Sequence, residues 1–336
     1  MAEYKEIKGF KVQSLASDPS GPVGQVWYNT ATNLLKYQSQ VGAWASGGTL
    51  SGSIRSMAGI GTQTAALAVG GTPPGGYPAV TTNSESYDGT SWTAGNPFNT
   101  ARTQMGANAI GTQTAGQVMG GATGPPYVSY DLTEQYDGTS WSEKADLNTP
   151  RLQGAGGGII TAGFYAAGGD ISGASPLANN ETWDGTSWTE VNNVNSARRY
   201  LAGGGTMAAG LVYGGGPLPT ISSLGLSESW DGTSWTATNN LNGARQYLSG
   251  INGPATSTSA VAVGGQVSPS YPANTGVETW DGTSWTIAPV LASGRASMAG
   301  TSAASATAGL VAGGQPVTNV TEEWTIANTV KTVTVS

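Results

Sequence analysis

The segment Glu85-Ser-Tyr-Asp-Gly-Thr-Ser-Trp92 returns as Glu134–Trp141, Glu181–Trp188, Glu228–Trp235 and Glu278–Trp285, at intervals of 47 to 50 residues. A degenerate copy, Glu322-Glu323-Trp324-Thr325, ends the series. A fixed period of this size demands a repeat architecture, because one such unit cannot bury its apolar face without neighbours. Two further features keep the same phase. Gly pairs follow short apolar runs at 70/71, 120/121, 168/169, 214/215, 264/265 and 313/314. Arginines stand at Arg55, Arg102, Arg151, Arg198, Arg245 and Arg295, and only Arg199 lies outside that set. Six units follow.

Each unit reads as four short strands. The first follows the Arg (Ser56-Met-Ala-Gly-Ile60), and the second is the apolar run into the Gly pair (Ala66-Leu-Ala-Val69). The third carries Glu-x-Tyr/Trp and the fourth opens on Ser-Trp-Thr. Asp-Gly between strands three and four is a hairpin signal, since Gly accepts φ > 0 and Asp bonds its own turn. Small residues dominate strands one and two, which suits crowding near an axis. Aromatics fill strands three and four, where neighbouring units diverge. Four strands per unit of this length is the size of a propeller blade. The predicted fold is therefore all-β: a β-propeller of four-stranded antiparallel blades.

The count turns on how the ring closes. Trp44 precedes Arg55 much as Trp92 precedes Arg102. A strand around Trp44 would then complete the last blade, leaving no open edge. Val26–Asn29, Leu34–Tyr37 and the tail Val330–Ser336 also read as strands and offer a seventh blade as the alternative. Six is the preferred count. Residues 1–23 hold three of the six lysines, Lys5, Lys8 and Lys11, and read as an N-terminal arm; 24–336 read as the propeller.

Absences narrow the chemistry. The chain has no His and no Cys. This removes Ser-His-Asp and Cys-His catalysis and the usual zinc and copper ligand sets. Disulfides cannot support the fold. A net charge of −7 argues against nucleic acid and anionic membrane as partners. No apolar run is long enough for a transmembrane helix, and the charged N-terminus predicts no secretory signal.

The sequence GG, then Tyr or Trp, then Trp, resembles the kelch repeat over residues 44 to 325. It differs from that family in its DGTSW turn and in a shorter apolar strand before GG. The stretch Gly24-Gln-Val-Trp-Tyr-Asn-Thr-Ala-Thr-Asn-Leu-Leu-Lys-Tyr37 resembles a short element of bacteriophage tail and other virion structural proteins, which carry DGTSW-type repeats behind it. That resemblance implies a virion location, and a docking arm that contacts other virion proteins.

The repeated residues have structural readings. Asp88, Asp137, Asp184, Asp231 and Asp281 look superficially like the Asp box of sialidases, but here Asp and Gly are adjacent; they read as turns. The Arg series with Glu85, Glu134, Glu181, Glu228 and Glu278 reads as a repeated ion pair or as Arg bound to backbone carbonyls. Trp92, Trp141, Trp188, Trp235 and Trp285 read as blade core. Asp131 and Asp170 break the pattern and are the candidate pair for a glycosidase. Galactose-oxidase-like propellers use His and Cys at copper, which this chain lacks. One Asp per turn is too few to specify calcium, so no metal or cofactor is expected.

The loops between strands two and three differ in every unit and are rich in Pro and Tyr. Propeller topology gathers them on one face, opposite the uniform DGT turns. One diverse and one uniform face suit a binding scaffold, with Tyr77, Tyr127, Tyr130, Asp131, Asp170 and Tyr271 as candidate contacts. The expected function is a non-catalytic, phage-like virion appendage of the tail-fibre type. It would bind a bacterial surface glycan or another virion protein. The alternatives are a sialidase- or lyase-like glycan-degrading propeller and a kelch interaction adaptor.

Overall fold

The computed structural model describes residues 12–20, 24–76, 79–106, 109–124, 128–171, 176–217, 222–270 and 272–333, in two compact units. Trp44–Trp324 form one. Met1–Ala43 and Thr325–Ser336 form the other.

The large unit is a six-bladed β-propeller. The innermost strands are Ala58–Thr62, Ile110–Thr112, Ala155–Ile159, Ala202–Thr206, Ser249–Ile251 and Ala299–Gly300. The second strands are Ala65–Val69, Ala115–Met119, Ala162–Ala166, Ala209–Tyr213, Ala260–Val263 and Ala308–Ala312. The third strands are Ser84–Tyr87, Thr133–Tyr136, Asn180–Trp183, Ser227–Trp230, Val277–Trp280 and the start of Thr321–Thr332. Outermost lie Trp92–Ala94, Trp141–Glu143, Trp188–Val191, Trp235–Thr238, Trp285–Ala288 and the end of Leu34–Ser46. Each innermost strand lies against that of the next blade, and that of blade six returns to blade one.

Blade six is thus built from both ends of the chain, as the position of Trp44 predicted. Of the segments considered for a seventh blade, Val26–Asn29 and most of the strand Leu34–Ser46 lie in the smaller unit, and Val330–Thr332 end the strand Thr321–Thr332; residues 334–336 lie outside the described residues.

Small inner residues are required by distance. A Cβ on Gly59 would lie 2.2 Å from the Gly300 carbonyl oxygen, and one on Gly300 would lie 2.2 Å from that of Gly250. Further out, each blade stacks its third-strand aromatic on its fourth-strand Trp. Tyr87–Trp92 sit 4.9 Å apart, Tyr136–Trp141 5.0 Å, Trp183–Trp188 5.3 Å, Trp230–Trp235 5.2 Å and Trp280–Trp285 5.3 Å. Trp324 and Trp44 repeat the pair at 5.3 Å in blade six.

The Arg and Glu series form buried ion pairs: Arg102–Glu134, Arg151–Glu181, Arg198–Glu228, Arg245–Glu278 and Arg295–Glu322. Burial pulls the Arg102, Arg198, Arg245 and Arg295 pKa values down, and each partner Glu opposes that. The Glu also receives backbone donors: Asn148 N at 2.7 Å on Glu181, and Asn195 N at 2.7 Å on Glu228. The Arg carbonyl reaches back to the preceding blade, taking Gly71 N at 3.1 Å on Arg102 and Gly121 N at 2.9 Å on Arg151. One residue thereby fixes the link between blades.

Two positions correct the phase read from spacing. In blade one Ile54, not Arg55, occupies the buried Arg position, since Gly314 N donates to the Ile54 carbonyl at 2.8 Å. Glu85 there bonds Ser51 N and Oγ at 2.9 Å, while Arg55 Nη1 reaches Gln315 Oε1 at 3.0 Å. In blade three Ala167-Gly168, rather than Gly168-Gly169, fills the Gly-pair position: Ala167 has φ 58 and Gly168 N donates to the Arg198 carbonyl at 2.9 Å.

The smaller unit pairs Gln13–Leu15 in parallel with Val26–Asn29, which forms the expected hairpin with Leu34–Ser46. Asp18 gathers Trp27 Nε1 at 3.2 Å, Asn29 Nδ2 at 2.6 Å and Lys36 Nζ at 2.9 Å. Lys5, Lys8 and Lys11 lie outside the described residues.

Breaking one buried pair strands its partner's charge. Arg151→Met is expected to lower the unfolding free energy by about 3–5 kcal/mol. Arg55→Met should cost less than about 1 kcal/mol, because no buried carboxylate depends on it. Urea denaturation of both variants checks the assignment; equal losses would contradict it.

Candidate functional site

Two residues after each buried Arg position the chain turns through the left-handed region. The residues are Ser56, Gln104, Gln153, Tyr200, Tyr247 and Ser297, with φ between 53 and 62. Only Gly takes this conformation without cost. The six are linked by a closed cycle of backbone hydrogen bonds. Gln104 N donates to Ser56 O at 3.0 Å, Gln153 N to Gln104 O at 2.8 Å and Tyr200 N to Gln153 O at 3.0 Å. Tyr247 N then donates to Tyr200 O at 2.9 Å, Ser297 N to Tyr247 O at 2.8 Å, and Ser56 N to Ser297 O at 2.8 Å.

Their side chains ring the axis on the diverse face and enclose a depression of about 40 Å³. Met57, Leu201, Leu248 and Met298 also line it. Tyr200 and Tyr247 stack at 3.7 Å between centroids, and the Arg199 guanidinium sits 4.5 Å over Tyr200. Gln153 Nε2 donates to Gln104 Oε1, while Gln153 Oε1 is buried with no partner.

The other end of the axis is plugged. The turns after the innermost strands of blades five and six are long and fold across it. Asn252 Nδ2 donates to Gly203 O at 2.9 Å, and Asn252 Oδ1 accepts from Tyr213 Oη at 2.9 Å. Ala303 N reaches Gly61 O at 2.9 Å, and Ala304 N reaches Asn252 O at 2.9 Å. The depression is a blind pit.

Of the residues proposed from sequence, Tyr77, Tyr127 and Tyr271 lie outside the described residues. Tyr130, Asp131 and Asp170 are half-buried in the loops of blades two and three. Tyr130 N bonds Gly121 O at 2.8 Å, and the Asp131 carbonyl takes Leu147 N at 3.0 Å, so both backbones are anchored. None of the three lines the pit, and among the described residues neither does any other carboxylate. Among the described residues no three Asp or Glu gather to hold a metal. Loops of adjacent blades are tied together: Ile171 N donates to Ser129 Oγ at 2.7 Å, and Ser223 N to Ser268 Oγ at 2.9 Å. Burial pushes the phenol of Tyr165 up to about 12, as it does that of Tyr87, which also donates to Glu323. A tyrosine nucleophile needs the opposite shift.

Gln104, Gln153, Tyr200 and Tyr247 were not singled out by sequence. Their signal was a polar or aromatic residue two places after each Arg; the slip at Arg55, which points instead to Met57, masked the regularity.

On the opposite face the Asp turns are closed on themselves. Thr90 N and Ser91 N each donate to Asp88 Oδ1 at 2.8 Å, and the other four copies match within 0.1 Å. Gly89 follows at φ 93. The serine and then the threonine N–H hold all five carboxyls below their usual pKa. They read as turns with their acceptors occupied.

No family model matches the sequence, and no characterised protein matches it significantly. The fold and the pit therefore carry the functional reading.

A folded-state pKa below the unfolded one contributes stability above the unfolded value, about 4, which is lost as pH falls through the folded value. Urea midpoints should therefore drop between about pH 5 and pH 3. Asp231→Asn should lower the midpoint at pH 7 and narrow the difference between pH 7 and pH 3. An unchanged difference would show that the turns do not carry it.

Proposed function

We propose that the propeller is a non-catalytic recognition module whose diverse face binds a bacterial surface glycan, in a phage-like virion appendage. One observation carries this reading: loops that differ from blade to blade surround an axial pit, while the opposite face repeats one closed turn. A rigid scaffold presenting variable loops is a common basis for recognition. The virion setting rests on the resemblance of Gly24–Tyr37 and of the DGTSW repeats to phage structural proteins. The same resemblance supports contact with other virion proteins through the N-terminal arm.

The glycosidase alternative requires two carboxyls about 5–10 Å apart facing one substrate. A pit lined by no carboxylate speaks against placing that pair on the axis.

Purified protein incubated with a bacterial surface-glycan array, read for both retention and cleavage by mass spectrometry, tests the reading. Retention of intact glycan is the expected outcome. Cleavage would replace the module with an enzyme, and the absence of both would leave protein contact within a particle as the role.

A further inference from the structure

The pit has a composition of its own. Its polar lining is Ser56, Gln104, Gln153, Tyr200, Tyr247 and Ser297, and among the described residues no Asp, Glu, Lys or Arg lines it. A charged ligand group entering there would lose its water and meet no charged lining side chain, the Arg199 guanidinium beside the pit being already held 4.5 Å over the Tyr200 ring. A neutral group loses far less.

Gln153 supplies the specific demand. Its side chain is 8% exposed, its amide nitrogen is engaged by Gln104, and its Oε1 has no donor. A buried acceptor left unpaired costs about 1–3 kcal/mol, which a hydroxyl donated from a ligand would recover. Met57, Met298, Leu201 and Leu248 supply an apolar surface beside it, and the Tyr200–Tyr247 stack supplies an aromatic one. Hydroxyls projecting from a C–H framework match this mixture.

Shape selects further. A pit closed at its far end cannot thread a polymer. At about 40 Å³ it admits one edge of a sugar ring with its hydroxyls, not a whole chain segment. Its walls are fixed by the hydrogen-bonded backbone cycle, so little ordering is needed on binding.

We propose that the axial pit recognises the terminal sugar of a neutral glycan, inserted edge-on, with one of its hydroxyls donating to Gln153 Oε1. This rests on the glycan reading above and names the end of the chain as what is read. Six polar side chains around the ring favour a polyhydroxylated group over a single phenol or alcohol from a protein partner.

The test uses neutral oligosaccharides retained by the wild-type protein. Three measurements are made: retention after the terminal sugar is removed by an exoglycosidase, competition by the methyl glycoside of that sugar, and retention by Gln153→Leu and Tyr200→Leu. Trimming should abolish retention, and the methyl glycoside should compete. Each variant should weaken binding about tenfold or more, with an unchanged thermal midpoint for Gln153→Leu. Trimmed oligosaccharides that bind as before would overturn the pit as the site while leaving glycan binding by the loops intact. So would competition by free tyrosine but not by methyl glycoside, which would indicate a protein side chain. No neutral glycan retained by the wild type would overturn this proposal, and no glycan of any charge retained would overturn the wider reading with it. The competition and trimming arms use only the wild-type chain, so they decide the matter even if a variant misfolds.

Discussion

Every blade of a propeller needs two neighbours, and the first and last have them only if the ends of the chain meet. Two independent devices meet that constraint here. One is blade six, where Trp44 and Trp324 come from opposite ends of the chain and rebuild the aromatic pair that single hairpins make elsewhere. The other is the cycle of six backbone hydrogen bonds at the axis, which closes from Ser56 to Ser297. Their energies show what the cycle is for. A net hydrogen bond contributes about 1 kcal/mol, and a left-handed non-glycine residue costs about 1–2 kcal/mol. The two nearly cancel. The cycle therefore does little for net stability and much for register, since each blade's angular offset is fixed by a bond to the next.

The buried Arg–Glu pairs obey similar accounting. A buried ion pair is seldom more stable than well-packed apolar residues of the same volume. What it supplies here is satisfaction of polar backbone. The Glu accepts N–H groups from the link between blades, and the Arg Nη groups donate to strand carbonyls such as Tyr165 O at 2.8 Å and Gly313 O at 2.9 Å. Blade one shows the arrangement can be thinned: Ile54 replaces Arg, and Ser51 still engages Glu85. The framework is thus polar but internally neutralised, and it leaves the pit without any charged lining residue.

Blade number, the aromatic pairs, the Asp turns and closure through Trp44 were legible in the sequence, because each depends on a residue type at a fixed spacing. The slips at Arg55 and at Gly168/Gly169 were not, since a one-residue shift is invisible when the neighbouring residue has the expected type. Ala167 sits at φ 58 in a place where Gly is the rule, and nothing in its chemistry announces that. The pit was hidden for the same reason. Ser, Gln and Tyr are poor markers of left-handed backbone, so six residues sharing one conformation looked like unrelated polar positions. The plug at the far end leaves only extra length in blades five and six as its mark in the sequence; that Asn252 folds inward to Gly203 is decided by tertiary contact.

Two properties of the diverse face follow from different layers of the chain, and recognition needs both. Loop sequence varies where the backbone is already anchored, as at Tyr130 and Asp131, so substitution there changes contacts without moving the blades. The pit is different, because its walls belong to the cycle that sets blade register. Changing a side chain on that cycle alters chemistry at the axis, while the bonds holding it are made by backbone and persist. On the glycan reading proposed above, a face with adjustable loops around a fixed neutral pit would vary the branch or linkage it prefers and still demand one kind of chain end at its centre.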